Sequence, residues 1–241
     1  MTPSGTPSAP ASSPSPAPRD RLVVAIDGPA GAGKSTTARL LAERLGYALL
    51  DTGAIYRSLA LLARERGVSW EDGEAVAALA ATLDIRFQFE DGVNRVRVGE
   101  RDVTADIRSP EISDGASRVS ALPPVRAALL DLQRRLGAAG GVVVEGRDVG
   151  TVVFPDAGAK FFLTAAARER AHRRALELRA GGRVVDEEAV LKDIVTRDER
   201  DTQRAVAPLR RAADAVQVDS DAMTPEQVVD LLWTEVRRRG G

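Results

Sequence analysis

Leu22-Val23-Val24-Ala25-Ile26-Asp27-Gly28-Pro29-Ala30-Gly31-Ala32-Gly33-Lys34-Ser35-Thr36-Thr37 decides the fold of this chain. The apolar run Leu22 to Ile26 predicts a buried strand that stops at Asp27 and Gly28. Gly28-x-x-x-x-Gly33-Lys34-Ser35 follows, and a helical pattern covers residues 34 to 45. Strand, glycine loop and helix are the context in which this spacing forms a phosphate cradle. Without Cβ atoms in the way, consecutive backbone N–H groups turn inward on an anion, and the helix adds its positive end. Gly28, Pro29, Ala30, Gly31, Ala32, Gly33, Lys34, Ser35 and Thr36 are therefore the candidate triphosphate-binding residues. Lys34 reaches the β- and γ-phosphates, and the Ser35 hydroxyl holds Mg²⁺. A glycine turn that serves packing alone is the plainer reading. Against it, the chain carries only three lysines, Lys34, Lys160 and Lys192, and fills its other basic positions with arginine. A compact ammonium fits among phosphate oxygens as a planar fork does not.

The totals narrow the class. At 241 residues and 44% hydrophobic content, a sizeable core is available. A net charge of −1 gives no basic field for nucleic acid. The lack of cysteine excludes disulfides, zinc thiolates and cysteine nucleophiles. The single histidine, His172, rules out a His-pair metal site and reads as a solvated surface residue. No apolar stretch is long enough to span a bilayer. A cytoplasmic enzyme or switch protein, with nothing requiring an oligomer, is the natural class, so a monomer is expected.

Residues 1 to 20 are mostly Pro, Ser, Ala and Thr and read as a disordered tail without a secretory pattern. From Arg21 onward, a second strand is predicted at Tyr47 to Leu50, then helices to about Gly67 and over 71 to 82. The period then drops to two. Ile85 to Phe89, Val93 to Val98 and Arg101 to Thr104, separated by Asp91-Gly92 and Gly99-Glu100, predict a small antiparallel meander. Helices over 109 to 121 and 123 to 139 follow. Strands at Val142 to Glu145 and Ala159 to Leu163 come next, then helices over 166 to 180 and 187 to 204. Ala215 to Val218 is the last strand, and Thr224-Pro225-Glu226-Gln227 is a capping box that opens the final helix. The order predicts an α/β fold. It is a parallel five-stranded sheet of the P-loop type flanked by helices, with a β insert on its edge and ligands outside the carboxyl ends of its strands.

Four polar stretches bear on what receives the phosphoryl group. Arg57 lies one turn into the helix after Asp51-Thr52-Gly53, where the plain alternative is a helix-surface arginine. Arg147-Asp148 follows a buried strand, where the alternative is an internal salt bridge. Arg197, Asp201 and Arg204 share one helix face, where the alternative is an exposed, salt-bridged helix. Ser117 and Arg126 flank Pro123-Pro124 and carry little signal alone.

Together these stretches resemble the bacterial cytidylate kinase family over residues 21 to 238. The blocks that carry the resemblance are Gly-Pro-Ala-Gly-Ala-Gly-Lys-Ser, Asp-Thr-Gly-Ala-Ile-Tyr-Arg, Gly-Arg-Asp-Val-Gly-Thr-Val-Val-Phe-Pro, Glu-Arg-Ala-His-Arg-Arg and Arg-Ala-Val-Ala-Pro-Leu. The resemblance implies MgATP-dependent phosphorylation of CMP and dCMP. It implies a monophosphate-binding region with its insert over about 53 to 125 and a helical lid over about 166 to 185. Arg57, Arg147 and Arg204 match positions that hold the acceptor phosphate, and with Lys34 they form the catalytic set. Ser117, Arg126 and Asp148 match positions that read cytosine, and Arg197 and Asp201 match positions around the sugar. The arginines of 168 to 183 match the lid, and Ala205 to Leu209 match the adenine contact. Thr52 stands in the CMP-binding block where a serine is common, and its added methyl could tune the choice between ribose and deoxyribose. Two rivals stay open. A kinase for UMP or shikimate would share the fold. A regulatory GTPase would need an Asn-Lys-x-Asp guanine reader, but the only asparagine, Asn94, precedes Arg95.

Overall fold

The structure, a computed structural model, describes residues 21–90 and 92–241; the predicted tail of residues 1 to 20 and Asp91 of the predicted turn lie outside the described residues. Strands β1 (Val23–Asp27), β2 (Ala48–Asp51), β6 (Val142–Gly146), β7 (Ala159–Thr164) and β8 (Val216–Asp219) form a five-stranded sheet in the order β2-β6-β1-β7-β8. Every pairing in it is parallel. The meander is a separate antiparallel sheet of β3 (Ile85–Glu90), β4 (Val93–Val98) and β5 (Arg101–Asp102). Its third strand is shorter than the alternation predicts. The Val103 amide still bonds the Val96 carbonyl at 2.9 Å, but the Val96 amide goes to the Thr104 hydroxyl at 2.9 Å, so a side chain takes half of that backbone pair.

Alternation along the central strands feeds two cores. Ala25, Val142 and Val144 pack with α2 (Thr52–Glu65), α3 (Gly73–Ala81), α4 (Pro110–Val119) and α5 (Pro123–Gly137). Val24, Ile26, Val143, Phe161 and Leu163 pack with α1 (Lys34–Leu45) and α8 (Pro225–Arg238). Burying each such branched side chain contributes about 1.5–3 kcal/mol. Helix ends follow local chemistry. Asp51 accepts from the Ala54 amide to cap α2, and Thr224 and Gln227 exchange both bonds of the predicted capping box at α8. Helix α5 ends two residues short of the prediction, where a Cβ on Gly137 would lie 2.5 Å from the Phe154 ring.

Sheet register aligns the carboxyl ends. Asp51 of β2 lies opposite Glu145 of β6, and Asp27 of β1 lies opposite Gly146. Three carboxylates thus stand along one edge, the edge from which the glycine loop leaves. Gly28 makes that departure possible. Its φ is +150°, and an added Cβ would sit 2.0 Å from the carbonyl oxygen of Leu163 in β7. Backbone cannot yield there as a side chain could. Gly28→Ala should destabilise the fold by about 3 kcal/mol or more by this combination of strain and overpacking. Urea denaturation measures it, and an unchanged midpoint would contradict the packing described.

Candidate active site

The loop after β1 takes its shape from glycines at positive φ, Gly31 at 76° and Gly33 at 84°, before α1 begins at Lys34. Lys34 is buried and donates to the Pro29 carbonyl at 2.6 Å. Burial and the Arg147 charge push its ammonium down to about 7. Ser35 donates to the buried Glu145 carboxylate at 2.9 Å. Burial and the facing Asp51 raise Glu145 to about 7.

Asp27 ends the central strand with a buried carboxylate that accepts the Val149 and Gly150 amides, each at 2.8 Å. Those amides open a wide helical turn, Val149–Val153, which fills a stretch that showed no helical or strand pattern in the sequence. The turn directly follows Arg147-Asp148. Asp27 therefore ties the segment that starts the glycine loop to the segment that carries those two residues.

Around Asp148 lies a buried ionic cluster. Its Oδ2 accepts from Arg126 Nη2, and its Oδ1 accepts from Arg204 Nη2 at 3.1 Å. Arg204 Nη1 is 3.9 Å from Asp201, whose other oxygen accepts from Arg147 Nε at 2.8 Å. Arg147 and Asp148 come from the end of β6, Arg126 from α5, and Asp201 and Arg204 from the last turn of α7 (Glu187–Gln203) and its cap. Arg126 also lies over the Tyr56 ring, 5.8 Å from its centroid. Burial and the neighbouring Arg126 charge push the Arg204 guanidinium below its ordinary value. Two cations crowd one carboxylate here, a field that favours an incoming anion.

Arg57 stands apart. Its Nη2 donates to Asp51 at 2.6 Å, while its Nε is buried without a partner among the described residues. Asp51 thus caps α2 with one oxygen and orients Arg57 with the other. The Thr52 hydroxyl donates to the Glu145 carbonyl at 2.7 Å and joins β2 to β6. Ser117 on α4 accepts from Arg200 of α7 at 2.8 Å. Burial, only partly offset by Asp193 and Asp114, pushes Arg197 below its ordinary value.

A family model described as cytidylate kinase matches residues 24–238. The chain belongs to the cytidylate kinase family. A cytidylate kinase of Pseudomonas aeruginosa is 53% identical over 221 residues, which cover 90% of this chain and 96% of that protein. One of Syntrophotalea carbinolica is 49% identical over 219 residues, covering 91% and 93%. One of Geobacter sulfurreducens is 49% identical over 221 residues, covering 92% and 95%.

In this cytidylate kinase family chain, five of the residues singled out from sequence, Arg126, Arg147, Asp148, Asp201 and Arg204, form one connected cluster. Arg57 and Ser117 are held outside it by Asp51 and Arg200. The arginines of the 168 to 183 stretch differ in setting, and half-buried Arg173 is tied to Glu169 and to the Ser220 hydroxyl and carbonyl. Arg168, Arg174, Arg179 and Arg183 are exposed or half-exposed. Arg170 is buried and bonds the Ala165 carbonyl, the loop carbonyl of Ala30, both at 2.9 Å, and Asp198 at 2.6 Å. It braces the glycine loop against α7. His172 is exposed, as its setting predicted, and lies 3.1 Å from Glu187. Sequence reasoning missed the roles of Asp27, Glu145, Arg170 and Arg200. For the first two a signal existed, since each is an acid placed directly after a buried apolar strand.

Asp27 yields a pH prediction. Burial raises its carboxyl from 3.8 to about 6, although two amide bonds oppose the shift. The native state then binds the extra proton between those values, so this group's contribution makes stability fall as pH rises through the interval. Asp27→Asn removes the titration. The stability gap between wild type and variant should be about 2 kcal/mol smaller at about pH 7 than at about pH 4.5. Urea unfolding at both pH values measures the gap, and a gap independent of pH would contradict this account.

Proposed function

We propose that this chain transfers the γ-phosphoryl group of MgATP to CMP and dCMP, as a monomeric enzyme of the cytoplasm. The observation that carries the reading is the buried Asp148 held between Arg126 and Arg204 beside the loop that carries Lys34. Among the described residues, no helix is long and apolar enough to cross a membrane.

Donor and acceptor roles follow from the chemistry. Loop amides and Lys34 bind the ATP phosphates. Ser35 would ligate a hard divalent cation such as magnesium, with Glu145, which accepts from its hydroxyl, in support. The chemistry it would supply is neutralisation of charge on the ATP phosphates. Arg57, Arg147 and Arg204 hold the acceptor phosphate and relieve its repulsion with ATP. An acceptor phosphate oxygen forms a bond to the γ-phosphorus while the bond to the β–γ bridging oxygen breaks, giving ADP and CDP or dCDP. That acceptor oxygen is already ionised, so no general base is needed. The transition state is loose, and positioning plus charge neutralisation are what the protein supplies. Exposed arginines of the 168 to 183 stretch close over the transferred group and exclude water.

Base choice rests on Asp148, Arg126 and Ser117. Cytosine presents an amino donor at position 4 where uracil presents an acceptor. Asp148 accepts from the first and repels the second. Buried polar groups left unpaired by a mismatched base cost enough to reject it. Arg197 and Asp201 take the sugar, and Thr52, whose hydroxyl proton is directed to the Glu145 carbonyl, is assigned to the same substrate.

ADP release measured against CMP, dCMP, UMP, AMP and shikimate tests the reading. CMP and dCMP should give the highest kcat/KM, about 100-fold or more above UMP on the strength of polar discrimination. A strong rate with UMP or shikimate and none with CMP would overturn it.

A further inference from the structure

Helix α7 presents a fourth polar residue to the acceptor side. Arg200 lies between Arg197 and Asp201 in sequence, and its Nη1 donates to Ser117 Oγ at 2.8 Å and to Asp114 Oδ1 at 3.2 Å. Asp114 and Ser117 are one turn apart on α4, so a single guanidinium pins that face of α4 to α7. Asp114 is also approached by Arg118 at 3.8 Å, which leaves Arg200 as the group that engages the serine.

A serine hydroxyl has one proton and two lone pairs, and ordinarily rotates to suit its partner. A guanidinium N–H is a donor with no acceptor capacity. Arg200 therefore occupies a lone pair of Ser117 and forces the hydroxyl proton to point elsewhere. Among the described residues Ser117 Oγ donates to no protein acceptor. Its proton is free for a ligand and one of its two lone pairs is engaged, and the cation's pull strengthens the O–H as a donor while weakening the second lone pair as an acceptor.

We infer that Arg200 is a positioning residue for base selection, one that biases Ser117 towards donation. The inference rests on the assignment of Ser117 to the base in the function proposed above. Cytosine N3 is a bare ring nitrogen that accepts a hydrogen bond, whereas uracil N3 carries a hydrogen. A hydroxyl biased towards donation suits the first and meets the second hydrogen to hydrogen. Without Arg200 the hydroxyl is a better acceptor, free to turn either lone pair to uracil. Selectivity at this point then depends on a residue that never touches the base.

The test is a double-mutant cycle read as the ratio of kcat/KM for CMP to that for UMP. Arg200→Ala should lower this ratio about tenfold, mostly through a gain with UMP, with KM for ATP unchanged. In a Ser117→Ala background, Arg200→Ala should leave the ratio unmoved, because the hydroxyl it acts through is gone. Arg200→Lys keeps a donor without acceptor capacity and should restore most of the ratio. It also serves if the alanine variant fails to fold. An unchanged ratio in Arg200→Ala, or the same fall with and without Ser117, would overturn the inference while leaving CMP phosphorylation standing. Wild-type enzyme with no CMP turnover would overturn both.

Discussion

One buried carboxylate, shared by two arginines from different helices, is the interaction on which the acceptor side depends. Asp148 leaves β6 on the sheet edge, while Arg126 comes from α5 and Arg204 from the end of α7. Stability alone does not explain such a cluster. Desolvating three charged groups costs several kcal/mol per ion, and apolar replacements of similar volume are often as stable. With two cations to one anion at Asp148, the field stays positive, and burial pushes Arg204 below its ordinary value. An acceptor phosphate beside Arg204, as proposed, would relieve that crowding. The same carboxylate that orients Arg204 is the group proposed to read the base, so phosphate position and base identity meet at one side chain.

The other carboxylates of the sheet edge organise the groups around that side chain. Parallel register sets Asp51, Glu145 and Asp27 on a common edge, and each does a different task. Asp51 caps α2 and orients Arg57. Glu145 accepts from the Ser35 hydroxyl at the head of α1. Asp27 seats the turn that follows Asp148. On the far side, Arg170 braces the glycine loop against α7 through Ala30 and Asp198. The loop Ala205 to Leu209 is shaped from the same helix end, where Arg204 Nε bonds the Ala207 carbonyl at 2.5 Å and the Leu209 amide bonds the Asp201 carbonyl at 2.8 Å. Adenine and acceptor contacts are thereby proposed to share a foundation in Arg204.

Much of this was legible in the sequence, for physical reasons that differ by element. The strands and the meander could be read because burial imposes an apolar run or a period of two, and Asp-Gly and Gly-Glu mark turns, whereas the spatial order of the strands could not. The closeness of Asp201 and Arg204 could be read because helical spacing brings them together, whereas Arg197 on the same predicted face stays outside the cluster. Partnerships across 56 residues, such as Asp148 with Arg204, leave no local periodicity, and the family resemblance assigned those two residues to one site without pairing them. Asp27 and Glu145 looked like strand stops because a carboxylate after an apolar run fits that reading equally well. The helical turn after Asp148 was invisible because its anchor is a side chain 122 residues away. Arg200 was passed over because it sits among charged residues on a helix where a solvated arginine is the ordinary expectation.

The Asp148 carboxylate is proposed to set the preference for cytosine while it orients Arg204. The most direct measurement is kcat/KM for CMP and for UMP in Asp148→Asn, with near-ultraviolet circular dichroism to confirm the fold. Asparagine keeps the shape but offers an amide donor to the uracil oxygen. The account predicts that the CMP to UMP ratio falls about 100-fold, with a lower kcat on both substrates as Arg204 loses its anchor. A folded variant that keeps the wild-type ratio would contradict it.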